Sequence, residues 1–314
     1  MVYWKYFFSM KDLKRIGPLF IIIGALLWSI DGLLRRSLFS LPPSTVVFLE
    51  HMIGLIIMTP FLLKKVVKES VMMQKKEWIA LGVIGLFSGA LGTIFYTAAL
   101  AKVNYIQFSV VALLQQLQPI WAIIMAAVLL KEKLTKNFIG WALLAIVASY
   151  YVTFKDLGLM GDMNANAIIA AVLALLAGIM WGSTTSFSKI ILNKVSSQTG
   201  TYYRFAAAPI FALMFMGILG QMGSLGTITQ NQWITILVIT LSTGMVAQLI
   251  YYFGLRQTSG RVTAICELVW PASAVLIDYI YFHNTLSWTQ IIGIFFVLIS
   301  IYKVTTLHHE QRLA

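Results

Sequence analysis

The chain has 314 residues, 59% of them hydrophobic and only 11% charged, whereas a soluble domain carries about 25% charged residues. That balance excludes a water-soluble globular protein and indicates an integral membrane protein. The formal net charge of +12 does not indicate nucleic acid, because the lysines and arginines sit mostly between apolar runs, where they set topology and meet anionic lipid headgroups.

In chain order, the segment 1–15 is aromatic and basic and lacks the apolar core and small-residue cleavage site of a secretory signal. Residues 1–9 read as an upstream start or a surface-lying aromatic stretch, and 1–15 as a cytoplasmic segment. A spanning helix takes roughly 20 mostly apolar residues. Such runs fall at about 16–36, 44–63, 78–101, 106–130, 137–154, 166–190, 200–220, 232–254, 262–281 and 289–307, which makes ten expected spans. Pro42 and Pro43 open the second in the manner of an N-terminal helix proline. Trp78, Trp233 and Trp288 stand at run starts, where interfacial tryptophans belong. The single cysteine, Cys266, lies inside an apolar run, which excludes an intrachain disulfide. The loops are too short for a soluble catalytic domain, and 308–314 reads as a cytoplasmic tail.

With the N-terminus inside, 18 lysines and arginines fall in inner segments. Only Arg35, Arg36, Lys102 and Lys155 fall in outer ones, and Arg204 lies within a span. The positive-inside rule then places both termini in the cytoplasm of a multi-pass protein in the cell membrane.

The two halves repeat. Val110–Val147 has a degraded copy 152 residues later, in which Pro119 answers Pro271 and Gln115 answers Glu267. Gly24, Trp28 and Ser29 resemble Gly178, Trp181 and Ser183; Trp78 pairs with Trp233, Tyr96 with Tyr251, and His51 falls opposite Arg204. The expected repeats are 16–155 and 163–307. Five spans per repeat is odd, so the second copy enters the membrane upside down, the plan of secondary transporters that hold their substrate between the halves.

On Trp28-Ser29, Trp181-Gly182, Tyr96, Ala99-Leu100, Gln118-Pro119 and the turn Leu130-Lys131-Glu132-Lys133-Leu134-Thr135, the chain resembles the drug/metabolite transporter superfamily, in particular its EamA-type ten-span members. The resemblance covers about 16–307. It departs at Lys131, which stands where the family has glycine, and at His283-Asn284-Thr285, which replaces the acidic turn in the second copy. The resemblance implies an all-α fold of two inverted five-helix repeats and, in many members, proton-coupled export.

Ionisable groups inside spans cost roughly 2.5–3.5 kcal/mol each on insertion scales, so they face a cavity or pair together. Gly24, Trp28, Asp31 and Arg35 share one helix face, with Asp31 and Arg35 one turn apart. They read either as a mutually neutralised pair or as an outer gate. Glu50 and His51 are candidate proton-exchanging groups, although adjacent residues diverge by about 100° on a helix. Arg204 requires a partner, and Glu267 is the carboxylate expected to supply it, as a static bridge or an inner gate. Trp28, Trp121, Trp181 and Trp270, with Tyr96 and Tyr251, are expected to wall an aromatic pocket, and Gln107, Gln115, Gln118 and Gln248 to add polar stripes. Gly85, Gly89 and Gly92, on the Tyr96 face, are expected to pack against another helix of the bundle.

The expected function is secondary transport of small organic metabolites by alternating access, with export of amino-acid-like solutes and protons as a candidate coupling ion. The alternative is import of choline-like cations held by the tryptophans, and a non-transporting sensor or scaffold ranks below both. No enzyme motif, phosphate-binding loop, metal site or cofactor site is expected. The expected partners are a small-molecule substrate and the lipid bilayer, with the oligomeric state left open.

Overall fold

The computed structural model describes residues 16–101, 117–153, 165–282 and 285–313. These residues form helices and short connections with no strand among them. In order they are α1 (Gly17–Arg35), α2 (Pro43–Ser70), α3 (Lys75–Leu100), α4 (Gln118–Leu129), α5 (Lys136–Thr153) and α6 (Ala165–Leu192), then α7 (Ser197–Ile218), α8 (Gln230–Gln257), α9 (Gly260–Cys266), α10 (Val269–Phe282) and α11 (Trp288–Leu313). Eight stretches among the described residues are long and apolar enough to cross a membrane, counting α9 and the start of α10 as one; α4 and α5 are shorter apolar helices. The result is an all-α membrane protein of ten segments in two five-segment repeats. The helix of the last segment runs on to Leu313 through the stretch expected to be a separate tail. The expectations for residues 1–9, Gln107, Gln115 and the turn at His283-Asn284 lie outside the described residues.

The starts of the helices repeat with the sequence. Gln74 and Glu77 form a capping box at the head of α3, and Thr229 and Gln232 form one at the head of α8; each satisfies N–H groups that the first helical turn leaves without partners. Pro43 opens α2. The neighbours repeat too. α1 packs on α8 as α6 packs on α3, while α2–α7 and α5–α11 pair across the pseudo-two-fold axis. Small residues permit these approaches. A Cβ on Gly254 of α8 would stand 2.7 Å from the carbonyl of Gly17 and 2.8 Å from the amide of Ile21 in α1. Gly85 and Gly89 lie against Ala207 and Ala208 of α7, and Gly92 lies against Trp181 of α6, so the glycine face packs inside the bundle as expected. Large apolar side chains such as Phe61, Ile210 and Ile280 point outward, as a lipid-facing surface requires.

Two departures from regular helix were not expected. Ile84–Leu91 in α3 and Thr240–Gly244 in α8 are π-helical, and they occupy corresponding positions of the two repeats. Each widened turn frees backbone carbonyls and turns a hydroxyl inward, a distortion that recurs at functional sites.

The turn after α4 explains both the acid and the departure from glycine. Leu130 and Glu132 both donate backbone N–H to the carbonyl of Ala126, which closes the helix, and Lys131 between them sits at φ 54°. This is the left-handed position that glycine fills at no steric cost. We expect Lys131→Gly to stabilise the protein by about 1 kcal/mol, read as a rise of a few degrees in the melting temperature in detergent; an unchanged or lower value would count against it. The Glu132 carboxylate accepts the N–H groups of Gly260 at 2.8 Å and Arg261 at 3.0 Å. It thereby caps α9 and ties the two repeats together.

Candidate functional site

One cavity lies between the two repeats. Its wall takes residues from α1, α2, α3, α4, α6, α7, α8 and the α9–α10 segment.

The aromatic part of the wall is built from two repeat-related pairs. Trp28 of α1 and Tyr251 of α8 have ring centroids 4.8 Å apart; Trp181 of α6 and Tyr96 of α3 have theirs 5.3 Å apart. Sequence equivalence of Trp28 with Trp181 and of Tyr96 with Tyr251 thus becomes the same contact made twice. Trp270 completes this wall. Trp121, expected beside it, does not line the cavity. It sits where α4 crosses α6, its Cβ 3.1 Å from the position a side chain on Gly182 would take. The crossing is so close that the helix face bearing Trp121 is turned into α6.

The polar part of the wall has two centres at one end. In the first, Arg35, buried with 3% exposure, donates to Asp31 and, at 2.8 Å, to Glu50. Thr243 from the α8 π-turn donates to the other oxygen of Asp31 at 2.6 Å, and Thr240 donates to the backbone carbonyl of Glu50 at 3.3 Å. Asp31 and Arg35 pair as their spacing predicts, and Glu50 joins them. One nitrogen of Arg35, Nη1, is buried with no hydrogen-bond partner among the described residues.

In the second, Arg204 of α7 donates through Nη1 to the hydroxyl of Ser88 and through Nη2 to its carbonyl at 3.2 Å. Ser88 belongs to the α3 π-turn, and its carbonyl also accepts the Trp181 indole N–H at 3.2 Å. The expected Arg204–Glu267 ion pair does not form. The widened α3 turn brings an accepting carbonyl and hydroxyl to the guanidinium, so it needs no carboxylate there. Ser88 and Thr243 are repeat equivalents, as Tyr96 and Tyr251 are. One steadies a cation and the other a carboxylate. Neither was singled out from the sequence, although aligning the two copies would have paired them. His51 lines the cavity beside Glu50, its Nδ1 2.9 Å from the carbonyl of Val47 and its ring 4.7 Å from that of Phe205.

Glu267 occupies the interruption between α9 and α10. It takes hydrogen bonds from the Tyr251 hydroxyl at 2.6 Å and from Gln118 Nε2, across the axis, at 2.6 Å. Pro271 stands in the first turn of α10, where a missing N–H costs little; the helix is interrupted just ahead of it, at Leu268. Gln248 lines the cavity from α8, and Gln115 lies outside the described residues. Among the described residues no cluster of His, Cys, Asp and Glu is arranged to hold a metal ion.

Comparison with known proteins agrees with this architecture. The riboflavin transporter ImpX of Fusobacterium nucleatum is 37% identical over 293 residues, covering 93% of this chain and 98% of that protein. Protein LicB of Haemophilus influenzae is 27% identical over 217 residues, covering 65% and 68%. An uncharacterized transporter of Clostridium kluyveri is 22% identical over 290 residues, covering 90% and 91%. A solved crystal structure superposes with a TM-score of 0.72 at 17% identity, covering 93% of this chain and 98% of that one, which shows a shared fold. The sequence pattern of the EamA-like transporter family matches twice, over residues 15–154 and 168–306. The chain therefore belongs to the EamA-like transporter family, a branch of the drug/metabolite transporter superfamily.

Proposed function

We propose that this transporter carries a neutral, planar heteroaromatic metabolite of the flavin class, by alternating exposure of the cavity between its two repeats. The observation that carries this reading is the doubled Trp–Tyr wall, Trp28–Tyr251 and Trp181–Tyr96, joined by Trp270. Flat π-surfaces on several sides suit a fused ring system. The 37% identical relative named as a riboflavin transporter supports the same solute class. At the charged end of the cavity Arg35 and Arg204 stand against Asp31 and Glu50, with Arg35 bridging the two carboxylates, so that end balances its own charge and asks for no ion from the solute. In this reading Trp28, Tyr96, Gln118, Trp181, Gln248, Tyr251, Glu267 and Trp270 contact the solute. Asp31, Arg35, Glu50, His51 and Arg204 govern closure of the cavity at their end.

Purified protein in proteoliposomes is expected to take up riboflavin saturably. Trp28→Ala and Trp181→Ala should each weaken apparent affinity by roughly tenfold, the usual value of one stacked ring. A proton gradient of either sign serves as a second arm, which tests coupling. Saturable flux of amino acids or choline without riboflavin flux would overturn the flavin reading in favour of an amino-acid-like or cationic solute.

A further inference from the structure

We infer that Gln118 and Glu267 together form the element that reads the hydrogen-bonding edge of the solute, and that the edge they take is a lactam or cyclic imide, a ring N–H beside a ring carbonyl. This rests on the flavin reading above and deepens it. Gln118 Nε2 lies 2.6 Å from Glu267 Oε2, and the Tyr251 hydroxyl lies 2.6 Å from Glu267 Oε1. An ionised carboxylate only accepts, so the Gln118 amide turns its NH2 group toward it. That NH2 group has two hydrogens, and one is engaged by Glu267. Each carboxylate oxygen has two acceptor directions, and one on each is engaged. A free donor on Gln118 and a free acceptor on Glu267 are therefore left side by side, at the spacing of two parallel hydrogen bonds.

Both side chains line the cavity, and both stand where their membrane segment meets a proline: Gln118 precedes Pro119, and Glu267 lies in the interruption ahead of Pro271. The groups around Glu267 supply hydrogen bonds but no counter-charge. No lysine or arginine pairs with it among the described residues, in contrast to Asp31 and Glu50, which share Arg35. A carboxylate with spare acceptor capacity takes an N–H donor of the solute in a charge-assisted hydrogen bond, and the Gln118 donor beside it requires an acceptor on the same edge, which a quaternary ammonium does not have. Trp270, one turn further on, lines the same cavity, and Tyr251 holds the carboxylate through its hydroxyl. A ring that stacks there would present its in-plane N–H and carbonyl to the pair. The imide N–H of an isoalloxazine, flanked by two carbonyls, has this pattern; a quaternary ammonium has none of it.

The test is competition against riboflavin uptake in proteoliposomes by two analogues: N3-methylriboflavin, which loses the imide N–H, and 5-deazariboflavin, which keeps the whole edge. With the native protein, N3-methylriboflavin is expected to compete roughly 10- to 100-fold more weakly than riboflavin, and 5-deazariboflavin to compete within about threefold. In Glu267→Ala the ratio between riboflavin and its N3-methyl derivative should collapse to within about threefold. A residue that merely supported the helix break would alter flux without altering that ratio. Equal competition by both analogues on the native protein, or a ratio unchanged in Glu267→Ala, overturns the edge assignment and leaves the flavin reading standing. Absence of riboflavin uptake altogether overturns the flavin reading and this inference with it.

Discussion

Arg35→Met is expected to destabilise the protein by about 3–5 kcal/mol, the range for breaking a buried ion pair by removing one partner. The side chain lies between two carboxylates, donating to Asp31 and to Glu50, and all three residues are buried, at 3%, 8% and 4% exposure. Removing the guanidinium leaves two negative groups facing each other in a region with little water. The loss should therefore come less from the missing attraction than from the two charges left behind. That distinction is measurable. Asp31→Asn with Glu50→Gln in the Arg35→Met background should recover most of the lost thermal stability in detergent. If the three substitutions were simply additive, the three residues would not be acting as one unit.

Lys189→Met is expected to be almost as damaging, by about 3 kcal/mol, because it strips charge-assisted hydrogen bonds from buried carbonyls. Its ammonium group donates to the carbonyls of Leu255 at 2.6 Å, Arg256 at 2.8 Å and Thr258 at 2.7 Å. These belong to the end of α8 and the link into α9, where helical carbonyls have run out of helical donors. A lysine has three donors that can converge on three acceptors, whereas the planar fork of arginine cannot. Lys189→Arg should accordingly rescue only part of the loss. Faster amide exchange across residues 255–262 in Lys189→Met, beyond any general loosening, would locate the effect. Unchanged exchange there would count against it. From the sequence Lys189 was one basic residue among the 18 assigned to the inner side. In the structure it closes one helix and orients the next, the segment that carries Glu267.

The structure also shows how two similar halves make an unequal site. Ser88 and Thr243 occupy equivalent π-turns, yet one holds the guanidinium of Arg204 and the other the carboxylate of Asp31. Gln118 and Trp270 stand at equivalent positions before their prolines, so a polar donor in one arm answers an aromatic ring in the other, and both line the cavity. A symmetric scaffold thus carries one charged cluster, at Asp31, Arg35 and Glu50, and one hydrogen-bonded carboxylate, at Glu267. The tie from Glu132 to the head of α9 adds a fixed point between the repeats, about which the arms can be compared in any second conformation.

Much of this was legible in the chain alone. Apolar run length located the ten segments, because a bilayer sets the number of residues needed to cross it. Helical periodicity placed Gly24, Trp28, Asp31 and Arg35 on one face, and the internal repeat matched Trp28 with Trp181 and Tyr96 with Tyr251 before any contact was known. Those inferences are local or arise from self-comparison, and one sequence contains both. What only the tertiary structure decided is which face of each helix turns toward which neighbour. The expected pairing of Arg204 with Glu267 rested on position along their helices, which leaves open each helix's rotation and crossing angle. The π-turns, invisible to a 3.6-residue period, rotate the α3 hydroxyl and carbonyl of Ser88 onto Arg204 and leave Glu267 to Tyr251 and Gln118. Trp121 was misplaced for the same reason: at a crossing as close as that of α4 over Gly182, a single turn of helix separates the cavity from the helix interface.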